Sequence, residues 1–253
     1  MGSLKDAITK TTSTESLLIE NFLDKLFIED REDKEDRVGM HGSGIIASDN
    51  EFCFRQQVLS FIFKGNEPLI TVGLRKIFKQ GWVIHQKWQN MFKQAGVAIG
   101  IEQRGESSQW NLLFTPDAII KVGNRKYIVE IKSVNTYQFK NMKSHPSAEK
   151  QLQLYMHMTG IPRGFVLCED KNTQETKIFV YEYDPVKAKP FVERMLKVQK
   201  YLKRYKENGK LPSRLCEDEN CRRAKNCAYR NCCYNISKTP INKEEYEKME
   251  AKW

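Results

Sequence analysis

The sequence predicts an α/β protein in which helices sandwich a mixed β-sheet. Three observations predict it. Apolar residues recur at helical spacing from about Ile70 to Gln94, where Leu74, Ile77, Phe78, Val83, Ile84, Trp88 and Phe92 share a face. Short runs rich in β-branched and aromatic residues follow at Val97 to Gln103, Trp110 to Ile120 and Lys126 to Lys132. A helix, two more strand-like runs and a last long helix complete the series, an alternation that layers helices on a sheet.

Taken in order, residues 1–42 read as a helical or flexible lead-in. Ser16-Leu17-Leu18-Ile19 through Leu26-Phe27-Ile28 has helical apolar spacing, and the mixed-charge run Glu29 to Arg37 reads as solvated. His41-Gly42-Ser43-Gly44 is expected to be a loop. Ser48-Asp49-Asn50 is a helix start signal before Phe52 to Phe63, which would place Cys53 in a first turn. Gly65-Asn66-Glu67-Pro68 breaks the chain, and Gly96 ends the long helix. Ser147 to Met158 reads as a helix stopped by Gly160-Ile161-Pro162. Gly164 to Cys168 and Thr176 to Tyr183 are strands, and Pro185 to Asn208 is a long basic helix. The resulting division is the lead-in, a core over 43–210, a cysteine-rich segment over 211–235 and a charged tail over 236–253.

The chain has 253 residues, enough for one large core. No apolar run approaches the ~20 residues that span a bilayer. The polar start (Lys5, Asp6, Thr9, Lys10) has no signal-peptide character, and Asp6 occupies the Ser/Thr position that myristoylation needs. A cytoplasmic protein is expected, either bacterial or a phage protein in the bacterial cytoplasm. The formal charge of +10 and pI near 9.2 favour a polyanionic partner. Arg194, Lys197, Lys200, Lys203, Arg204, Lys206 and Lys210 load one segment, and Arg222, Arg223, Lys225 and Arg230 follow. Such a run reads either as a solvated helix face or as a phosphate-tracking groove.

The chemistry-bearing residues lie around Pro116-Asp117 and the run Tyr127-Ile128-Val129-Glu130-Ile131-Lys132. On a strand, residues two apart share a face, so Glu130 and Lys132 project together. With Asp117 they supply two carboxylates and an ammonium. Carboxylate oxygens suit Mg²⁺ or Mn²⁺. A bound divalent ion polarises a phosphate and lowers the pKa of water, and a lysine can stabilise the charge that develops. An Asp…Glu-x-Lys pattern alone also occurs on ordinary exposed strand ends.

Pro116-Asp117 and Val129-Glu130-Ile131-Lys132-Ser133, in their strand context, resemble the PD-(D/E)xK nuclease superfamily. Within it, the chain is similar to the RecB-type nucleases, including CRISPR-associated and AddB-like members. Gln151 and Tyr155 match that group's Q-x-x-x-Y motif, which puts both on one helix face. Gly81 and His85 match G-x-x-x-H, and Glu102 holds a position where an acidic residue is common. The resemblance implies a restriction-endonuclease-like fold with a mixed sheet flanked by helices. It further implies that His85, Asp117 and Glu130 ligate metal with help from the Ile131 carbonyl. Lys132 would be catalytic, and Gln151 and Tyr155 would position DNA and the lysine.

Of seven cysteines, Cys216, Cys221, Cys227, Cys232 and Cys233 crowd one short segment. Without a secretion signal, that crowding argues for metal rather than disulfides. Thiolates select zinc or iron–sulfur clusters. Several nucleases of the resembled group hold a 4Fe-4S cluster with one cysteine before the core and three after it, typically spaced C-x2-C-x5-C. Cys53 fits the upstream position. Downstream, this chain shows C-x4-C at 216–221, then C-x5-C at 221–227 and again at 227–233. Either 216/221/227 or 221/227/233 would serve. The competing arrangement is a Zn²⁺ site made within the C-terminal segment, with Cys53 a buried thiol. Cys168 reads as a core residue.

The function expected is a Mg²⁺- or Mn²⁺-dependent deoxyribonuclease, an exonuclease acting on single strands or DNA ends in recombination, repair or phage DNA metabolism. A helicase or recombination protein would be its partner in trans. The alternative is a non-catalytic nucleic-acid-binding subunit on the same fold. A sequence-specific endonuclease ranks last, since the short core offers no recognition domain.

Overall fold

The computed structural model describes residues 16–25, 39–63, 65, 71–103, 105–107 and 112–234. The run from Glu29 to Arg37, the break at Asn66 to Pro68 and the tail lie outside them. The chain divides into two units, one of residues 1–35 and 69–82 and one of residues 36–68 and 83–253.

In the first unit, helix α1 covers residues 16–25, inside the expected lead-in helix. Leu17, Leu18 and Phe22 on it are exposed. The unit's second helical piece is residues 72–82, the start of a longer helix. Lys76 pairs with Asp24 at 2.7 Å, an exposed pair worth little.

The second unit opens with β1 (Met40–His41), α2 (Gly42–Ile45) and α3 (Phe54–Leu59). The expected loop at His41 to Gly44 is therefore a strand end running into a helical turn. The helix expected from Phe52 to Phe63 shrinks to six residues, and Cys53 is its extended N-cap rather than part of its first turn. Helix α4 (Val72–Gln94) contributes residues 83–94 here, and Gly96 at φ +67° reverses the chain after it. Then come β2 (Ala98–Ile101), β3 (Gly105–Ser107), β4 (Leu112–Phe114), β5 (Ala118–Val122) and β6 (Arg125–Val134).

Within the run from Trp110 to Ile120, expected as one strand, the described residues form two strands in different sheets. Pro116 has no N–H to give a ladder, and the chain breaks there. β4 joins β1 and β3 in a small three-stranded sheet, whereas β5 joins the main sheet. β5 and β6 form a hairpin whose turn begins with Gly123 at φ +59°, a value that two-residue hairpin turns require. Helix α5 (Thr136–Asn141), capped by Asn135, was not legible in the sequence.

The series ends with α6 (Pro146–Thr159), β7 (Arg163–Asp170), β8 (Thr176–Glu182), α7 (Pro185–Asn208), α8 (Arg222–Lys225) and α9 (Arg230–Tyr234). Among the described residues the main sheet runs β2-β5-β6-β7-β8, with β6 and β7 parallel and the other pairs antiparallel. It is mixed and flanked by helices, as expected. On one face Ile128, Val134, Val166 and Cys168 pack with Leu152, Tyr155 and Met156 of α6 and with Phe191, Met195 and Val198 of α7. On the other, Ala118, Ile120, Val129, Ile131 and Leu167 pack with Ile84, Trp88 and Phe92 of α4. Among the described residues, no helix is long and apolar enough to cross a membrane.

Candidate active site

The break after β4 sets the first site residue. Asp117 precedes β5, and its Oδ2 accepts the Ile131 N–H at 2.7 Å. A side chain thus does what a strand carbonyl would otherwise do, and the carboxylate is tied to the middle of β6. Asp117 Oδ1 lies 3.2 Å from His85 Nδ1 on α4. Glu130, on β6, is 2% exposed. Its Oε1 accepts from Lys132 Nζ at 2.6 Å, while its Oε2 is buried without a hydrogen-bond partner. The fold therefore brings together His85, Asp117, Glu130 and Lys132 from α4, the β5 entry and β6.

The electrostatics follow from this crowding. Burial pushes the Glu130 carboxyl up to about 7, and the nearby Asp117 charge adds to the shift against Lys132. Burial opposes charging Lys132, but Glu130 outweighs it and the ammonium is held above its ordinary value. For His85, burial again opposes the charge, and the hydrogen bond and charge of Asp117 prevail, so its pKa is raised. Asp117 and Glu130 thus disfavour each other's charge, and Lys132 and His85 oppose that effect.

Gln151 and Tyr155 do meet: Gln151 Nε2 donates to the Tyr155 hydroxyl at 2.9 Å. Tyr155 is buried, with Phe114 at 5.6 Å between ring centroids. A Cβ added at Gly42 would sit 3.2 Å from the Tyr155 ring, so α2 packs closely against it. Burial raises the phenol pKa, and Glu130 reinforces the shift.

Sequence reasoning missed two supports, Gln89 and Glu169, and named Glu102 without its partners. Gln89, 1% exposed, donates from Nε2 to Glu102 Oε1 at 2.9 Å and to the Asp117 carbonyl at 3.1 Å. It lies four residues after His85, and a polar residue on the apolar face of α4 was the available signal. Glu102 itself has φ +44°, an uncommon conformation for its type, and its N–H points to the Asp117 carbonyl at 3.3 Å. Glu169 of β7, 1% exposed, accepts from Lys87 Nζ and Trp88 Nε1, each at 2.6 Å.

Among the described residues, no three His, Cys, Asp or Glu side chains stand close enough together to hold an ion as they are. At the carboxylate pair, Glu130 Oε1 is turned to Lys132 instead. The donor chemistry nonetheless fits a divalent cation. The unpartnered Glu130 Oε2 is a buried acceptor, and it faces a site with a second carboxylate and an imidazole.

The cysteine-rich segment packs on α3, and one cleft there is lined by Cys53, Cys216, Cys227 and Cys233. Burial pushes the Cys216 thiol up to about 11, with Cys221, Cys53 and Cys227 adding to the shift. Cys221 Sγ accepts the Ala224 N–H at 3.4 Å, which lowers its pKa and favours a thiolate. Cys53 is therefore placed beside the C-terminal cysteines. Arg55, Arg214, Arg222, Arg223 and Arg230 line the same cleft.

Arg194 departs from the expected phosphate groove. Its guanidinium donates to the Ile45 and Ala47 carbonyls at 2.6 Å each and stacks 4.4 Å over the Phe52 ring. This arginine is committed to holding α2 and the following turn.

No protein-family model matches the chain, and no curated protein matches it. Among solved structures, the alkaline exonuclease LHK-Exo from Laribacter hongkongensis is similar at TM-score 0.48 and 14% identity, over 68% of this chain and 93% of that one. LHK-Exo in complex with dAMP gives TM-score 0.47 and 13% identity over the same shares. The crystal structure of SSO0001 gives 0.44 and 15%, over 72% of this chain and 87% of that one.

Proposed function

We propose that this chain is a divalent-metal-dependent DNA nuclease of the PD-(D/E)xK type, acting as an exonuclease on single strands or ends. The observation that carries this reading is the buried Glu130 beside the half-buried Asp117, flanked by His85 and Lys132, with one Glu130 oxygen unpartnered. His85, Asp117 and Glu130, with the Ile131 carbonyl, would hold Mg²⁺ or Mn²⁺. When bound, such an ion polarises the scissile phosphate and lowers the pKa of a water. Lys132, kept charged by Glu130, sets an ammonium where negative charge grows on the phosphate. Tyr155 and Gln151 form the wall on the α6 side and position the strand.

The test is cleavage of end-labelled single- and double-stranded DNA with Mg²⁺ or Mn²⁺. Asp117→Ala and Lys132→Ala are each expected to lose roughly 10²–10³-fold or more in rate while still binding DNA. Full activity in both purified variants would end the reading. Salt-sensitive binding without cleavage under any metal would instead favour a non-catalytic subunit.

We also propose that Cys53 joins three of Cys216, Cys221, Cys227 and Cys233 in holding a 4Fe-4S cluster. Support comes from the shared cleft: a zinc site confined to the C-terminal segment would have no use for Cys53. Four thiolates drawn from both ends of the core would tie α3 to the C-terminal segment. Iron and zinc content of anaerobically purified protein separates the two metals.

A further inference from the structure

Six buried side-chain atoms among the described residues have no hydrogen-bond partner. Three of them belong to residues that line the cysteine cleft: Arg55 Nε, Arg223 Nη1 and the Tyr234 hydroxyl. An unpaired buried donor costs about 1–3 kcal/mol, and more when it is charged. Such a cost concentrated in one place marks a place where a partner belongs.

The neighbouring arginines show how the cleft is ordered. Arg55 Nη1 donates to the Pro212 carbonyl at 2.9 Å, which fixes the fork while leaving Nε free. Arg214 donates from Nη2 to the Cys233 carbonyl at 3.0 Å and stacks 4.6 Å over the Tyr234 ring. Arg230 Nε is anchored on the Glu219 carbonyl at 2.8 Å. The remaining free groups are donors, and two of the three carry positive charge. What completes them must be an acceptor and an anion.

We propose that Arg55, Arg223 and Tyr234 are the hydrogen-bond donors to the sulfurs of the cysteine-held centre. The proposal rests on the cluster reading above and adds its electrostatic surroundings. A cluster on four thiolates is dianionic, and its sulfurs accept hydrogen bonds. Two guanidinium groups oppose that charge from the lining of the cleft. Donors to sulfur stabilise the reduced, more negative state, so these residues hold the midpoint potential up. They also shield the sulfurs from oxidation.

The experiment uses the full chain, purified without oxygen and reconstituted with iron and sulfide. About four irons per chain with sulfide-to-iron absorption is expected. In protein labelled at the guanidinium nitrogens of arginine, pulsed magnetic resonance of the reduced cluster should show coupling to the label. This measurement needs no variant, so it decides even if a substitution disturbs folding. Arg223→Gln and Tyr234→Phe should each shift the midpoint potential negative and speed cluster loss in air several-fold. An iron-loaded protein with no label coupling and with unchanged potentials in both variants overturns the donor role and leaves the cluster standing. One zinc and no iron after reconstitution overturns the cluster reading, and the donor role with it.

Discussion

Glu130 is pulled two ways. Burial and Asp117 favour its proton, and Lys132 favours its charge. Its folded-state pKa near 7 lies above the unfolded value, so the native state binds the proton more tightly. The stability this group contributes is full below the unfolded value and is lost as pH rises through about 7. Metal-free protein should therefore lose melting temperature from this group between pH 5 and 8. Mn²⁺ and the proton compete for the same carboxylate, so thermal stabilisation by Mn²⁺ should be larger at pH 8 than at pH 5.5. A Mn²⁺ effect independent of pH would count against Glu130 as a ligand. At Gly42, substitution by Ala should push the Tyr155 ring and lower the cleavage rate more than the stability, measured by turnover against urea unfolding. The strand period puts Glu130 and Lys132 on one face and the helix period does the same for Gln151 and Tyr155, whereas Asp117 was legible only through the resemblance carried by Pro116-Asp117. Gln89 and Glu169 were not, because their roles depend on partners far away in the chain.

At the scale of elements, α4 is fixed to the sheet by a buried acid. Lys87 and Trp88 both donate to Glu169, and His85 and Gln89 sit on the same stretch of helix. Glu169→Ala leaves an indole N–H and an ammonium without their acceptor. It should cost about 2–3 kcal/mol in urea unfolding. It should also weaken Mn²⁺ binding measured by calorimetry, since His85 loses its anchor. Retained metal affinity at reduced stability would separate the two roles. The long helices were readable from period and caps: Gly160 and Gly209 end α6 and α7 at φ +69° and +70°. The strands around Pro116 were not, because periodicity does not register which sheet a strand enters. Short elements such as α2 and α5 are set by tertiary packing rather than by pattern.

Over the whole molecule, the net charge of +10 overstates what is available to a polyanion. Arg194 is used internally, and Arg55, Arg214 and Arg230 hold backbone carbonyls around the cysteine cleft. Lys200 and Lys203 remain on the outer face of α7. Affinity for single-stranded DNA should fall steeply with salt, and Lys200→Ala with Lys203→Ala should lower the slope of log affinity against log salt by about 1–2. An unchanged slope would place the DNA elsewhere. The α/β class and the helix–strand order were visible because they are properties of local pattern. The small sheet of β1, β4 and β3 was hidden, since it joins segments far apart in sequence.

The hairpin of β5 and β6 also has a bearing on how the chain folds. Its pairing is local, and hairpins close in about 1–10 μs. The parallel pairing of β6 with β7 must wait for α5 and α6 to form the crossover between them. Asp117, Glu130 and Lys132 all lie on the hairpin or at its edge. The acidic pair should thus assemble early, while still hydrated, and be sealed when α6 arrives. In pulse-labelled refolding, the Ile131 amide should gain protection before that of Leu167.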